Sequence, residues 1–161
     1  MKEAARYLIL SFAIFAVIAV LVMWKKQDRE QAFTELRERF EADISVVDGN
    51  FAVGCSSDRL VDLVEFADLL ARAGEPTILD LTGASNLESF SGIEKLLKVH
   101  SLIAIDCPKL TSAEGIAKHP ALRELVLTDS RQFSDASSIK GLPAKKIFAK
   151  VYKANESPNH D

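Results

Sequence analysis

The side chains able to do chemistry are few and do not gather. The histidines are His100, His119 and His160, and the cysteines are Cys55 and Cys107. No CxxC motif and no metal-type His spacing accompanies the two thiols, which read as small buried apolar side chains rather than ligands or a disulfide framework. Asp80, Asp106 and Asp129 invite comparison with a cation site. Their positions do not converge with other ligands, and a solvated face accounts for them. His100 and His119 hold different positions relative to the surrounding pattern, and no nucleophile elbow or phosphate-binding glycine loop appears. The sequence predicts no catalytic residue, no metal, no cofactor and no small-molecule substrate, so it reads as a non-enzyme. A net charge of -3, from 20 Lys+Arg against 23 Asp+Glu, lacks the basic footprint that nucleic-acid binding needs.

With chemistry absent, the elements themselves carry the reading. From Tyr7 to Trp24 the one polar interruption is Ser11, and no side chain is charged. As a helix these residues would extend roughly 27 Å, close to the thickness of a bilayer core. Tyr7 and Trp24 bracket the run as interfacial rings do, with Arg6, Lys25 and Lys26 outside them. The expectation is a transmembrane helix acting as a signal anchor in a single-pass membrane protein, with the lipid bilayer as partner through residues 7–24. Cleavage is disfavoured because the run ends in Val20, Leu21, Val22, Met23 and Trp24, too bulky for a small-x-small site. Orientation stays open. Lys25, Lys26, Arg29, Arg37 and Arg39 follow the run and favour a cytoplasmic body, whereas the short tail with Lys2 and Arg6 suits export.

Residues 25–44 are dense in both charge signs and contain neither Gly nor Pro, which predicts a continuing helix. Phe33, Leu36, Phe40 and Ile44 recur at helical steps and form a narrow apolar stripe. Glu35 and Arg39 have the spacing for weak surface pairing. The stripe is either a dimerising coil or the face of a stalk or back-folded helix. Fewer than two heptads favour the latter.

The remaining chain repeats. A shift of 23 residues aligns Leu79, Leu102, Leu125 and Phe148, then Leu87, Leu110 and Phe133, then Ile93, Ile116 and Ile139. Gly92 falls on Gly115, Pro120 on Pro143, and Ala84, Cys107 and Ser130 form a column of small residues. Each unit predicts a short strand, a turn and a return segment, with strands at Thr77–Leu81, Leu102–Ile105, Glu124–Leu127 and Ile147–Val151. Ala104 stands where Leu81 and Leu127 stand in the adjacent units, which leaves open a one-residue slip that would bury Ile103 and Ile105 instead.

The run Leu122-Arg-Glu-Leu125-Val-Leu127-Thr-Asp-Ser130-Arg-Gln-Phe133 resembles the leucine-rich-repeat pattern. Leu102 through Cys107-Pro-Lys-Leu110 resembles the cysteine-containing variant. The resemblance covers about residues 76–152 and implies an α/β solenoid of parallel strands. Ala84, Cys107 and Ser130 would line its interior turn. A single unit cannot bury its apolar side alone, so the units must stack. Ahead of them, residues 45–75 read as an N-terminal cap: a strand at Asn50–Cys55, then a helix from Ser57 or Asp58 to about Ala73. Leu60, Leu63, Val64, Ala67 and Leu70 mark its buried face, and Gly74 ends it. Residues 153–161 read as a disordered tail.

Arrays of this kind bind partners on the sheet face. The outward positions expected here are Asp80, Ile103 and Val126, flanked by Thr77, His100 and Arg123, then by Ile78, Ser101 and Glu124, and by Asp106 with Asp129. From these, Asp80, His100, Ile103, Arg123, Glu124, Val126 and Asp129 form a candidate surface for an unspecified protein partner. The function expected is a membrane-anchored binding or scaffolding module. An alternative comes from Thr77-Ile-Leu-Asp-Leu-Thr-Gly83 through Leu87-Glu-Ser-Phe-Ser-Gly-Ile93, which resembles the STAS domain of sigma-factor regulators. That resemblance implies a phosphorylation switch at Ser89 or Ser91.

Overall fold

A computed structural model of the chain describes residues 2–47, 49–117, 119–134, 139 and 146–149, with side chains from Ala13 onward except that of Lys146. In order, the elements are α1 (Lys2–Phe40), β1 (Asp43–Val47), β2 (Asn50–Gly54), α2 (Val64–Ala73), β3 (Ile78–Asp80), β4 (Ser101–Ile105), β5 (Glu124–Thr128) and β6 (Lys146–Ala149). A 3-10 turn lies at Ile93–Lys95.

The strands form one mixed sheet in the order β1-β2-β3-β4-β5-β6. β1 and β2 are an antiparallel hairpin, and every later pair is parallel. Sequential order with parallel pairing requires each unit to return on the same side of the sheet. The return segments do so by turns that recur at the repeat interval. The N–H groups of Leu87, Leu110 and Phe133 donate to the carbonyls of Ala84, Cys107 and Ser130 at 3.2, 3.1 and 2.9 Å. Ile93 and Ile116 likewise donate to Phe90 and Ala113 at 3.1 and 3.2 Å.

The core lies between the sheet and these return turns. Leu79, Leu102 and Leu125 sit side by side in the strand register, each 0% exposed. Burial on this scale contributes about 1.5–3 kcal/mol per leucine. Leu102 and Ala104 point inward while Ile103 and Ile105 are half-buried on the other face, so no register slip occurs. The narrow Ala104 sits beside Leu127 in that inner register. Phe90, Leu96 and Phe133 fill the return side.

Several expectations are corrected. The architecture of parallel strands behind a transmembrane helix becomes, among the described residues, a mixed six-stranded sheet with the two helices α1 and α2. Among the described residues no helix is long and apolar enough to cross a membrane. Trp24 is 67% exposed on a helix that continues without a break to Phe40, and the Tyr7 side chain lies outside the described set. The single-pass anchor and the localisation drawn from it are therefore withdrawn.

The charged segment is not a free stalk. Ala32, Leu36, Phe40 and Ala42 are buried in the domain core, with Phe33 and Ile44 packed against it. Phe40 meets Phe66 of α2 edge to face at 5.1 Å, and Phe33 meets Phe51 of β2 at 6.0 Å. Among the described residues three ion pairs tie the helices together, Arg39 with Glu65, Arg72 with Asp28 at 2.7 Å, and Arg72 with Glu35 at 3.8 Å. Arg39 thus pairs across helices instead of with Glu35. Glu41, at φ 53, takes the chain out of the helix, and its N–H closes on the Arg37 carbonyl at 3.0 Å. That exit creates β1, which the helical reading of Ile44 conceals.

The capping helix starts later than Ser57 or Asp58. Its N-cap, Leu63, has no side-chain oxygen, and Asp62 Oδ1 accepts the Val64 N–H at 2.9 Å instead. Leu60 and Leu63 are buried from the preceding loop, Val64 is exposed, and Phe66 and Leu69 join Ala67 and Leu70 on the inner face. At the far end Gly74 adopts φ 123, and the N–H groups of Gly74 and Glu75 both reach Leu70 O. The last strand is offset as well. Leu125 pairs with Ile147 and Val126 with Phe148, so the final step is one residue shorter than the repeat and Phe148 turns outward. The expected tail, 153–161, lies outside the described residues.

Candidate functional site

The outward sheet face has two main rows. The first contains Ala52, Ile78, Ser101, Glu124 and Lys146, and the second Gly54, Asp80, Ile103, Val126 and Phe148. Ile103, Val126 and Phe148 thus stand on three adjacent strands, the last 57% exposed. Ile105 and Thr128 extend the face one step toward the strand ends. Of the residues expected on this surface, Asp80, Ile103, Glu124 and Val126 share the two rows. Phe148 was missed because an unbroken repeat interval would have placed it inside with Leu125.

The polar members have local duties. Glu124 Oε2 accepts the Ser101 hydroxyl at 3.1 Å, bridging neighbouring strands, and Asp80 Oδ1 accepts the Thr82 N–H at 3.0 Å. His100 lies at the strand entry, where its carbonyl accepts the N–H groups of Arg123 and Glu124 at 2.8 and 3.0 Å. Arg123 beside it is exposed. Asp129 stands apart from Asp80. With Asp106 it adopts a positive φ, 57 and 53, at the turn where the preceding unit has Gly83 at φ 79. Asp is among the residues that tolerate this conformation best. Among the described residues no three acidic, His or Cys side chains are grouped to hold a metal ion.

The cysteines and serines take structural positions. Cys107 Sγ donates to Leu81 O of the preceding unit at 3.2 Å, while the Cys107 N–H donates to Ser130 Oγ of the next at 3.3 Å. The small-residue column is therefore bonded from unit to unit without asparagine. Burial pushes the Cys107 thiol up to about 11 and raises that of Cys55, whose Sγ donates to Phe40 O at 3.2 Å. Ser89 Oγ donates to Ser91 Oγ at 3.1 Å, and both residues are half-buried in a turn. The element after them is the 3-10 turn at Ile93–Lys95.

His119 is the chemically unusual group. It occupies the place that Leu96 has one unit earlier, is 0% exposed, and reaches back to Leu96 O at 2.7 Å through Nε2. Because a carbonyl can only accept, Nε2 carries the hydrogen, and the unprotonated Nδ1 has no partner among the described residues. Burial lowers the His119 pKa and His100 lowers it further, against the raising effects of the Leu96 carbonyl and Glu94. Below the unfolded value of about 6.5 the unfolded chain binds the proton that the folded chain refuses. Stability is then complete above that pH and falls as pH drops through it toward the folded value. In urea titrations across this range, His119→Leu is expected to flatten the dependence. An unchanged slope would assign the acid sensitivity to other groups.

Comparison of the chain with family models, curated proteins and solved structures finds no match. The leucine-rich-repeat and scaffolding expectations accordingly have no family support and rest on the motif alone.

Proposed function

We propose that the outward sheet face is a protein-binding surface and that the stack of units serves it in the manner of leucine-rich repeats. The observation that carries this reading is the apolar row Ile103, Val126 and Phe148, which crosses three strands at one level. Its flanks are Asp80 and Glu124, with His100 and Arg123 at the strand entries. An apolar centre with a charged rim is the composition of a recognition patch. Parallel strands spaced by about 4.8 Å hold such side chains at fixed separations, so little ordering remains to be done on binding.

A face of this width contacts one partner segment and suits modest affinity. A photo-crosslinking residue at Val126 is expected to capture one discrete partner in the native host. The same probe at Asp68, on α2, should not capture it. Adding Arg123→Glu should reduce the Val126 product several-fold, since reversing a rim charge changes association most. Equal capture from both positions, or no effect of the charge reversal, would refute the patch.

A further inference from the structure

A second site lies between α1 and α2, away from the sheet face. The cleft, about 650 Å³, is lined by Val22, Lys25, Lys26, Arg29 and Glu30 from α1, by Ala71, Arg72, Gly74 and Glu75, and by Lys98. Five cations face two carboxylates there, although the whole chain carries a net charge of -3. The steps from 22 to 25, 26, 29 and 30 place the α1 residues on one helix face.

Not all of this charge is free. Arg72 is committed to Asp28 through Nε and Nη2 at 3.0 and 2.7 Å. Arg29 lies over the Phe33 ring at 5.2 Å, which fixes its position without neutralising it. Glu75 is engaged by the Lys98 N–H at 3.1 Å. Among the described residues, Lys25, Lys26, Arg29 and Lys98 enter no ion pair within 4.0 Å. Like charges held around a concave surface repel one another, and an anion entering the cleft relieves that repulsion.

The same helix face continues past the cleft without charge. Val22, Ile18 and Phe15 follow at the same helical steps and are 63%, 50% and 72% exposed. Cationic and apolar surfaces therefore succeed one another along one face of one helix. That order matches a molecule with an anionic head and an apolar tail. We propose that the α1–α2 cleft binds the phosphate headgroup of an anionic lipid at a bilayer surface, with Lys25, Lys26, Arg29 and Lys98 around the phosphate and Val22 and Ile18 against the adjoining acyl region. Attachment of this kind is peripheral and requires no segment to cross the bilayer.

The test is co-sedimentation of the full chain with vesicles of phosphatidylcholine alone or mixed with phosphatidylglycerol. Binding is expected only with the mixed vesicles and should weaken as salt is raised. Each basic residue near an anionic surface contributes roughly five-fold, so the triple variant Lys25→Gln, Lys26→Gln, Lys98→Gln should bind on the order of 100-fold more weakly. Its unfolding transition should match wild type, because none of the three side chains enters the core. Equal binding to both vesicle types, or retained binding by the variant, would overturn the proposal. A parallel NMR titration with inorganic phosphate separates the two sources of the anion. Saturable shifts at Gly74 and Lys98 without sedimentation on mixed vesicles would assign the cleft to a free phosphate and reject the lipid.

Discussion

Gly115→Ala is expected to cost on the order of 4 kcal/mol, a loss large enough to threaten a domain of this size. Gly115 has φ 96, and a Cβ built there would stand 2.4 Å from the Phe90 carbonyl oxygen. That oxygen belongs to backbone and accepts the Ile93 N–H, so it cannot step aside cheaply. Gly83→Ala provides the contrast. Its φ of 79 is equally left-handed, but its nearest neighbour is Ser56 Cβ at 3.7 Å. Only the conformational cost remains there, about 1–2 kcal/mol. The sequence already contains part of this comparison, since the turn that Gly83 begins takes Asp in the second unit, at Asp106, whereas Gly92 recurs there as Gly115 and gives way only at Ser138 in the third. Urea midpoints for the two variants decide the matter. Similar mild losses would mean that the return turns can separate, and the close approach of the units would then be no constraint.

The second large effect is expected at the joint between helix and sheet. Leu36 is 0% and Phe40 6% exposed, and both pack into the domain core. Leu36→Ala should cost about 2–5 kcal/mol and Phe40→Ala about 3–5 kcal/mol, through lost burial and the cavities left behind. Phe40→Ala also removes the edge-to-face contact with Phe66. Ile18→Ala, on the exposed part of the same helix, should leave the unfolding midpoint within about 0.5 kcal/mol of wild type. If Leu36→Ala and Phe40→Ala unfold like wild type, α1 is only laid against the domain and contributes nothing to it.

The repeat was legible because burial imposes it on the residues themselves. Each unit must supply leucine at the same inner positions, so Leu79, Leu102 and Leu125 recur at one interval and meet in register. The inward direction of Ala104 was not legible. Its small side chain weakens the alternation that separates faces, and only pairing with Leu127 resolves it. Phe148 eluded the reading for the opposite reason. One residue fewer in the final connection reverses the strand's faces while leaving its composition unchanged. The stripe on α1 showed which side is apolar but not what covers it, since contact with α2 is made between residues far apart in sequence. The candidate face was visible through Ile103 and Val126. The basic cleft was not, because Lys98 joins Lys25 and Lys26 only through the folding of α1 onto α2.

The burial of Leu36 and Phe40 has a mechanical corollary. A helix of 39 residues whose final turns are set into the core reaches about 58 Å along its axis and has no swivel at its base. Whatever holds the far end of α1 thereby dictates the direction in which the sheet face points. Adding one residue to the exposed stretch near Trp24 would rotate that aim by about 100°, and adding a full turn would nearly restore it.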